Sequence, residues 1–369
     1  MEEVVTIIDY DHHGRGMARI NDKIVFIPNT MIDEIVKIKT TKDKKKYMEG
    51  IVIEYIKENS LRRKDICPYY KYCGGCDILH LPYNEQLKYK TNKIKNIINR
   101  YVKENIIIKD IISSDKEFNY RNKVTLHNKN HKIGYYSKES NDIIEISECK
   151  LIDSKLNNYL HNINNTNPEV VLRCSDEEVL DNYNDTIIKT IGNYKYIVSL
   201  KSFFQVNDNV TYKMYEKIKE YCNSALDDTI LDLYCGTGTI GIYLSKECKK
   251  VLGIEINKQA IIDANKNKVL NNINNIEFIA EDVSKVISKI AFKPTIVVVD
   301  PPRAGLDDKT IKEIIKINPH TLVYTSCDPM TLARDLNILK EYFNIIELTP
   351  FDMFPNTYHV ECVAKLEKK

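Results

Sequence analysis

The sequence carries almost no charge excess. Its 369 residues hold 54 lysines and arginines against 52 acids, a formal net charge of +2. That balance excludes a basic nucleic-acid coat, so any RNA-binding face must come from local clusters. No apolar run opens the chain and no stretch of eighteen apolar residues follows. The expectation is a cytoplasmic protein with no signal peptide and no membrane span. The length allows two or three domains, each with its own core. In such a chain ten cysteines argue against a disulfide framework and for metal binding or catalysis. Asparagine-rich patches at 162–167 and 265–275 read as compositional drift and are assigned no function.

Residues 4–56 read as five short strands at 4–7, 17–20, 23–27, 34–40 and 49–55, with Gly14, Gly16 and Pro28-Asn29 marking turns. That spacing predicts a small β-barrel of the OB type. Between Lys37 and Lys46 there are six lysines with Asp43 as the one acid, in what is expected to be a loop. Such a loop is either simply solvated or tracks single-stranded RNA. From 84 to 103 the positions Leu87, Ile94, Ile98 and Tyr101 keep helical spacing. Lys88, Lys90, Lys93, Lys95, Arg100 and Lys103 fill the remainder, with no acid from 88 to 103. This surface helix is the second expected RNA-facing patch.

Cys67, Cys73 and Cys76 lie within ten residues, in CPYYKYCGGC, and Gly74-Gly75 let the backbone fold tightly around a centre. Thiolates this close repel one another unless a cation or cluster holds them. Zinc sites usually come as two CxxC-like pairs, whereas here one triad has no fourth thiol nearby. A distant ligand is required, with Cys149 the candidate and Cys174 the alternative. Three local ligands plus one remote one suit a [4Fe–4S] cluster. Residues 118–200 read mostly as strands, including 123–127, 143–146 and 196–200, and form a central β-rich domain.

From residue 201 strand and helix alternate. Ile230 to Gly241 read as a buried strand, a glycine-punctuated turn and a helix start. The glycines let the backbone approach a nucleoside cofactor closely. Glu255 ends the second strand, where an acid suits ribose hydroxyls. Glu281-Asp282 follow the third, where an acid could meet an adenine amine, and Asp300-Pro301-Pro302-Arg303 end the fourth. Acids at successive strand tips fit an S-adenosylmethionine methyltransferase better than a dehydrogenase, which normally shows the full G-x-G-x-x-G. Thr325-Ser326-Cys327-Asp328-Pro329 closes a short strand at 321–325. Cys327 therefore sits at a carboxyl tip, where open α/β sheets place ligands and reactive groups. Taken alone it reads as a small buried hydrophobe; its company argues otherwise.

Together these segments resemble the RNA uracil-5-methyltransferases, particularly the subgroup with a TRAM domain and an iron–sulfur cluster that acts on 23S ribosomal RNA. The resemblance covers essentially the whole chain. It rests on CPYYKYCGGC with Cys149, on Phe203-Phe204-Gln205-Val206-Asn207, and on Asp232-Leu233-Tyr234-Cys235-Gly236-Thr237-Gly238. Asp300-Pro301-Pro302-Arg303, Ser326-Cys327-Asp328-Pro329 and His359-Val360-Glu361 complete it. The resemblance implies an α/β fold: a class I, Rossmann-like methyltransferase domain at 201–369, an N-terminal OB-type TRAM barrel at 1–58, and a central β-rich iron–sulfur domain at 59–200. It implies Cys327 as nucleophile, Glu361 as base, and Gln205, Tyr234, Glu255, Asp282 and Asp300 as cofactor contacts. The implied cofactors are S-adenosyl-L-methionine and a [4Fe–4S] cluster on Cys67, Cys73, Cys76 and Cys149. The implied partner is 23S ribosomal RNA, with no membrane and no obligate protein partner.

The chemistry explains the residue types. C5 of uracil is a poor nucleophile until a thiolate adds to C6 and converts the ring to an enolate. Cys327 must then be partly ionised, against a free thiol pKa of ~8.5. A base must later remove the C5 proton so that the thiolate is expelled. The target uridine must also be splayed or flipped from its stack. Three other readings compete. A tRNA uracil-5-methyltransferase shares the chemistry, but that branch generally lacks the barrel and the cysteine cluster. A radical methylthiotransferase uses a C-x₃-C-x₂-C triad instead of C-x₅-C-x₂-C. A non-enzymatic RNA-binding protein leaves Cys327, Glu361 and the strand-tip acids unexplained.

Overall fold

The computed structural model describes residues 2–130, 132–138, 140–163, 167–181, 185–200 and 202–369. Of the asparagine-rich patch at 162–167, residues 164–166 lie outside the described residues, as does residue 201, where the alternating pattern was expected to begin. The chain forms two compact units. One comprises Met1–Lys93, His127–Cys149 and Phe354–His359; the other comprises Ile94–Leu126, Lys150–Met353 and Val360–Lys369.

The first unit contains the expected barrel. Its strands lie in the order Glu2–Thr6, Ile35–Asp43, Tyr47–Lys57, Lys23–Ile27, Gly16–Ile20 and Asp9–Tyr10. Alternation along each strand points Val5, Ala18, Val25, Ile27, Val36, Ile38 and Met48 inward. The Ile8 amide donates to the Met17 carbonyl at 2.8 Å, which curls the first strand onto the third. The lysine-rich loop expected at 37–46 is mostly strand. Ile35–Asp43 pairs with Tyr47–Lys57 through three register shifts, leaving only 44–46 to turn. Bulges twist a strand without ending it, and isoleucine and threonine between the lysines favour extension. Much of the charge is compensated: Lys37 meets Glu2 at 2.8 Å, Lys42 meets Glu49 at 2.9 Å, and Asp43 meets Lys23 at 2.6 Å.

The expected basic helix spans Tyr83–Tyr101. Its buried positions include Gln86 and Lys90 in the first unit and Ile94, Ile97 and Ile98 in the second. Lys90 therefore does not belong to a solvent-facing patch. It is wholly buried, and its Nζ donates to the Phe354 carbonyl at 2.9 Å. Helical spacing sets Lys90 one turn from both Gln86 and Ile94, on the inward face. Lys93 is half-buried and Lys88 is paired with Glu85 at 2.7 Å, so Lys95 and Arg100 are the fully exposed cations on this helix without that pairing. Tyr101, expected on the apolar face, is 42% exposed, and Lys103 lies beyond the helix end.

The second unit is an eight-stranded α/β sheet. Five parallel strands come first, in the order Ile276–Ala280, Lys250–Glu255, Thr229–Leu233, Ile296–Val299 and Thr321–Ser326. Glu361–Lys368 then joins antiparallel, followed by Phe343–Phe351 and, at the edge, Ile107–Ile108. The inner strands are nearly continuous apolar runs, as burial on both faces requires. Chain order reverses beside Thr229–Leu233, which opens a crevice at the carboxyl ends of the strands. The strands expected across 118–200 are also present, including Lys123–Lys129, Ile143–Glu145 and Tyr194–Ser199. No described helix is long and apolar enough to cross a membrane.

Candidate active site

Thr321–Ser326 lies between Ile296–Val299 and Glu361–Lys368. In that antiparallel register Ser326 faces Cys362, so the next step sets Cys327 opposite Glu361. Asp300 follows the last residue of the parallel neighbour on the other side. The turn after Ser326 is fixed locally. Ser326 Oγ donates to the Asp328 carbonyl at 3.0 Å, and Asp328 Oδ1 accepts from the amides of Met330 at 2.8 Å and Thr331 at 3.1 Å. Asp328 is thus the N-cap of the helix Pro329–Leu339. Cys327, between cap and strand, stays half-buried.

The electrostatics follow from burial and like charge. Burial, then the carboxylates of Glu361 and Asp300, push the Cys327 thiol up to about 12, with Arg303 opposing. Burial and Asp300 push Glu361 to about 8, again against Arg303. Burial alone takes Asp300 to about 7. Asp232, fully buried, is raised to about 8 by burial and by Asp300 and Glu255, although it accepts the Gly241 amide at 2.9 Å. Burial and crowding of like charge thus raise proton affinity across the site, and an incoming cation would favour the ionised forms of these groups.

Beside it the first parallel strand ends in a strained turn. Tyr234 has φ 63, Gly236 φ 54 and Gly238 φ 77. A left-handed tyrosine is uncommon and marks a site held by its surroundings; here Thr310 lies beside its hydroxyl. The glycines differ in what they are for. A Cβ on Gly238 would lie 2.5 Å from the Phe278 ring, whereas one on Gly236 would meet nothing within 4 Å. Gly238 serves packing, and Gly236 leaves open space for a ligand. Glu255 holds that backbone, its Oε2 accepting from the Gly236 amide at 3.2 Å and its Oε1 from Asn257 at 2.8 Å. Asp282 accepts the Ser284 amide at 2.8 Å as the cap of Val283–Val286. Gln205 is buried, and its carbonyl accepts from Asn122 Nδ2 at 3.2 Å. No described contact joins its side chain to Cys327 or Glu361.

The cysteines of the first unit are brought together as well. Cys73 donates its amide to Tyr69 at 2.8 Å, and Gly74 donates to Tyr136 at 3.0 Å. The Tyr69 hydroxyl meets Ser147 Oγ at 2.8 Å, which draws in the segment carrying Cys149. Cys76 is raised well above the usual thiol range by burial, then by Cys149, Cys73 and Cys67 in that order. Cys174, the alternative fourth ligand, lies in the other unit among Asp153, Lys189, Lys155 and Asp208. All ten cysteines are described and none is in a disulfide. Among the described residues no three His, Cys, Asp or Glu side chains form a ready site for a metal ion. One ion demands sulfurs about 2.3 Å from a single point, whereas a four-iron cluster puts each thiolate on its own iron and fits a wider set.

Residues 120–369 match the family model described as tRNA (Uracil-5-)-methyltransferase, and residues 2–53 match the TRAM domain. The chain belongs to the tRNA (uracil-5-)-methyltransferase family. It is an S-adenosylmethionine-dependent RNA methyltransferase with an N-terminal TRAM domain. An uncharacterized RNA methyltransferase of Staphylococcus epidermidis is 32% identical over 442 residues, covering 98% of this chain and 96% of that protein. Another, of Clostridium acetobutylicum, is 32% identical over 446 residues, covering 99% and 96%. The crystal structure of Pyrococcus abyssi tRNA (uracil-54, C5)-methyltransferase with S-adenosyl-L-homocysteine superimposes with a TM-score of 0.77 at 24% identity, over 99% of this chain and 100% of that one. That likeness is one of fold. Family membership sets aside the methylthiotransferase and the non-enzymatic readings.

Two residues of this methyltransferase received no role from sequence. Arg303 is the cation that opposes the proton affinity of both Cys327 and Glu361. Asp232 lies beneath the glycine turn and feels Asp300 and Glu255. Both stand inside recognised motifs, but only the folded sheet reveals which charges they face.

Proposed function

We propose that this enzyme methylates C5 of a uridine in 23S ribosomal RNA in the cytoplasm, through a transient bond between Cys327 Sγ and C6. What supports the reading is the Ser326–Cys362 pairing, one step before Cys327 and Glu361, with Asp300 just past the end of the neighbouring strand and both carboxyls near enough to act on the Cys327 thiol. A thiol and a carboxyl beside one ring are what addition and elimination at C6 and C5 require. S-adenosylmethionine, when bound, supplies an electrophilic methyl on a sulfonium. The open face of Gly236 and the acids around it fit such a cationic nucleoside. Glu255 is suited to the ribose and Asp282 to the adenine, with Tyr234, Asp300 and Gln205 completing the set.

Cys327 is a thiol in the free protein and must lose its proton before it adds to C6. A cation near Asp300 and Glu361 lowers all three pKa values together, and Arg303 acts in the same sense. Once the thiolate has added, the C5 carbanion takes the methyl group. Ionised Glu361 then removes the C5 proton, the C6–S bond breaks, and Cys327 leaves as thiolate. We assign a [4Fe–4S] cluster to Cys67, Cys73, Cys76 and Cys149, where it would fasten the 67–76 turn to the segment ending at 149.

The ribosomal assignment rests on the resemblance of the cysteine motif. A tRNA reading is favoured by the Pyrococcus abyssi enzyme, which is matched over the whole chain, barrel included. The barrel therefore does not separate the two. Mapping 5-methyluridine in both RNA classes from cells lacking the protein decides between them. Loss from 23S ribosomal RNA is expected; loss confined to tRNA overturns the assignment.

A further inference from the structure

Five rings follow one another across the first unit. His12 and His13 have centroids 4.0 Å apart, and His13 meets Tyr358 edge-on at 5.0 Å. Tyr358 lies 4.2 Å from His359, which lies 5.9 Å from Phe354. His12 and His13 are exposed and the other three are half-buried, so the row has a solvent-facing side.

Hydrogen bonds and close packing brace both ends of the row. Buried Asp11 accepts the amides of His13 at 2.9 Å and Arg15 at 2.8 Å, and Arg15 Nε at 2.8 Å. The Tyr89 hydroxyl donates to the Asp11 carbonyl at 3.1 Å. Gly14 turns at φ +76, and a Cβ there would lie 2.4 Å from Ile78 Cγ2. At the other end Lys93 Nζ donates to the Tyr358 carbonyl at 2.9 Å and stands 5.0 Å from the Tyr358 ring. Arg15 and Lys93 are the cations acting on His13, while Asp11 is already engaged by Arg15.

An apolar core has no use for exposed histidines on a braced turn. Preorganised rings beside cations suit unpaired nucleobases, which stack on any aromatic face and lose little ordering entropy there. A duplex offers no such faces, because its bases are stacked on one another. We propose that His12, His13, Tyr358 and His359 form a stacking platform for unpaired bases of the substrate RNA. His359 precedes Glu361 by two residues, so the chain itself links the platform to the catalytic segment. The proposal rests on the RNA-methylation reading above.

The test is fluorescence anisotropy of the full protein with a short labelled oligouridylate, over a range of salt. Replacing His12→Ala and His13→Ala together should weaken binding about fivefold to a hundredfold for each stacked base lost. The slope against log salt should not change, since no phosphate contact is removed, and S-adenosylmethionine binding by calorimetry should be intact. The pair His12→Phe and His13→Phe should retain wild-type affinity. Unchanged binding by the alanine pair overturns the platform, as does a phenylalanine pair that loses as much as the alanine pair. Wild-type protein that binds S-adenosylmethionine but no RNA overturns the proposed function as well.

Discussion

Two clusters of like-charged groups stand in this chain, and they solve the same problem differently. Asp232, Asp300, Glu361 and Cys327 gather at the strand tips of one unit, and Cys67, Cys73, Cys76 and Cys149 gather in the other. In both, burial and mutual repulsion raise proton affinity. The carboxyls reach only about 7 to 8, so protons can occupy the site and leave again near neutrality. That suits a cationic cosubstrate that comes and goes. Cys76 is raised well above the ordinary thiol range by burial and its neighbouring cysteines, and thiols so placed suit a resident centre that holds them as thiolates.

The largest effect expected at the first cluster comes from Cys327→Ala. It should bind S-adenosylmethionine and RNA, form no covalent adduct and lose turnover. Glu361→Gln should still add and methylate, but elimination should slow by ~10²–10⁴, the usual worth of a general base. A methylated protein–RNA complex should then survive denaturing electrophoresis, and adding Cys327→Ala should remove it. Normal turnover by Glu361→Gln shows that another group is the base. Asp300 is then the remaining candidate, since Asp328 is occupied as a helix cap.

At the second cluster the comparison breaks if the thiols hold no resident iron. Anaerobically purified protein should be brown and contain about four irons per chain. Cys149→Ser should lose them and Cys174→Ser should keep them, because Cys174 is surrounded by Asp153, Lys189, Lys155 and Asp208 and not by the triad. Stoichiometric zinc without iron contradicts the assignment.

A moderate effect should separate the clusters by pH. The carboxyls of Asp232, Asp300 and Glu361 sit well above their usual values of 3.8 to 4.5. A raised folded pKa gives stability that is complete below the unfolded value and lost as pH climbs through the folded one. The free protein should therefore melt at progressively lower temperature between about pH 4 and 8. A bound cation favours the ionised carboxyls, so S-adenosylmethionine should release protons on binding. Its affinity should rise from about pH 6 to 8, and calorimetry in buffers of different ionisation enthalpy reads this directly. A pH-independent affinity with no proton release excludes the exchange.

The smallest expected effects lie outside both clusters and serve as controls. Lys95→Gln and Arg100→Gln should each reduce the salt slope of RNA binding by about 1 if each contacts a phosphate, with no change in melting temperature. Lys90→Gln should behave oppositely. It leaves the Phe354 carbonyl without this donor, at a cost of about 1–3 kcal/mol, and the salt slope should not move. An altered slope for Lys90→Gln shows that this residue reaches RNA after all.

Much of this architecture could be read from local pattern. Alternation in the first 57 residues gives the barrel, and apolar runs ending in acids give the parallel sheet, because both periods are set by the backbone itself. The lysine-rich stretch misled because charge suggested a loop while isoleucine and threonine at alternate positions favoured a strand. Lys90 misled for a related reason. Helical phase placed it inward, and a long stem can carry an ammonium to a buried carbonyl, so charge alone does not guarantee exposure.

What the sequence determined by itself is the order of motifs: a glycine turn after a strand, acids at strand tips, a thiol before a helix cap. Each is a short-range property of consecutive residues. Which of those groups face one another is a long-range property. Cys327 and Glu361 meet only because Glu361–Lys368 inserts antiparallel beside Thr321–Ser326 in one particular register. Cys149 joins the triad through the hairpin contacts of Tyr69 and Gly74. Proton affinities belong to the same level, because burial and the distance between charges are set only once the chain has folded. The sequence selected the chemical groups, and the tertiary structure decided which of them act on each other.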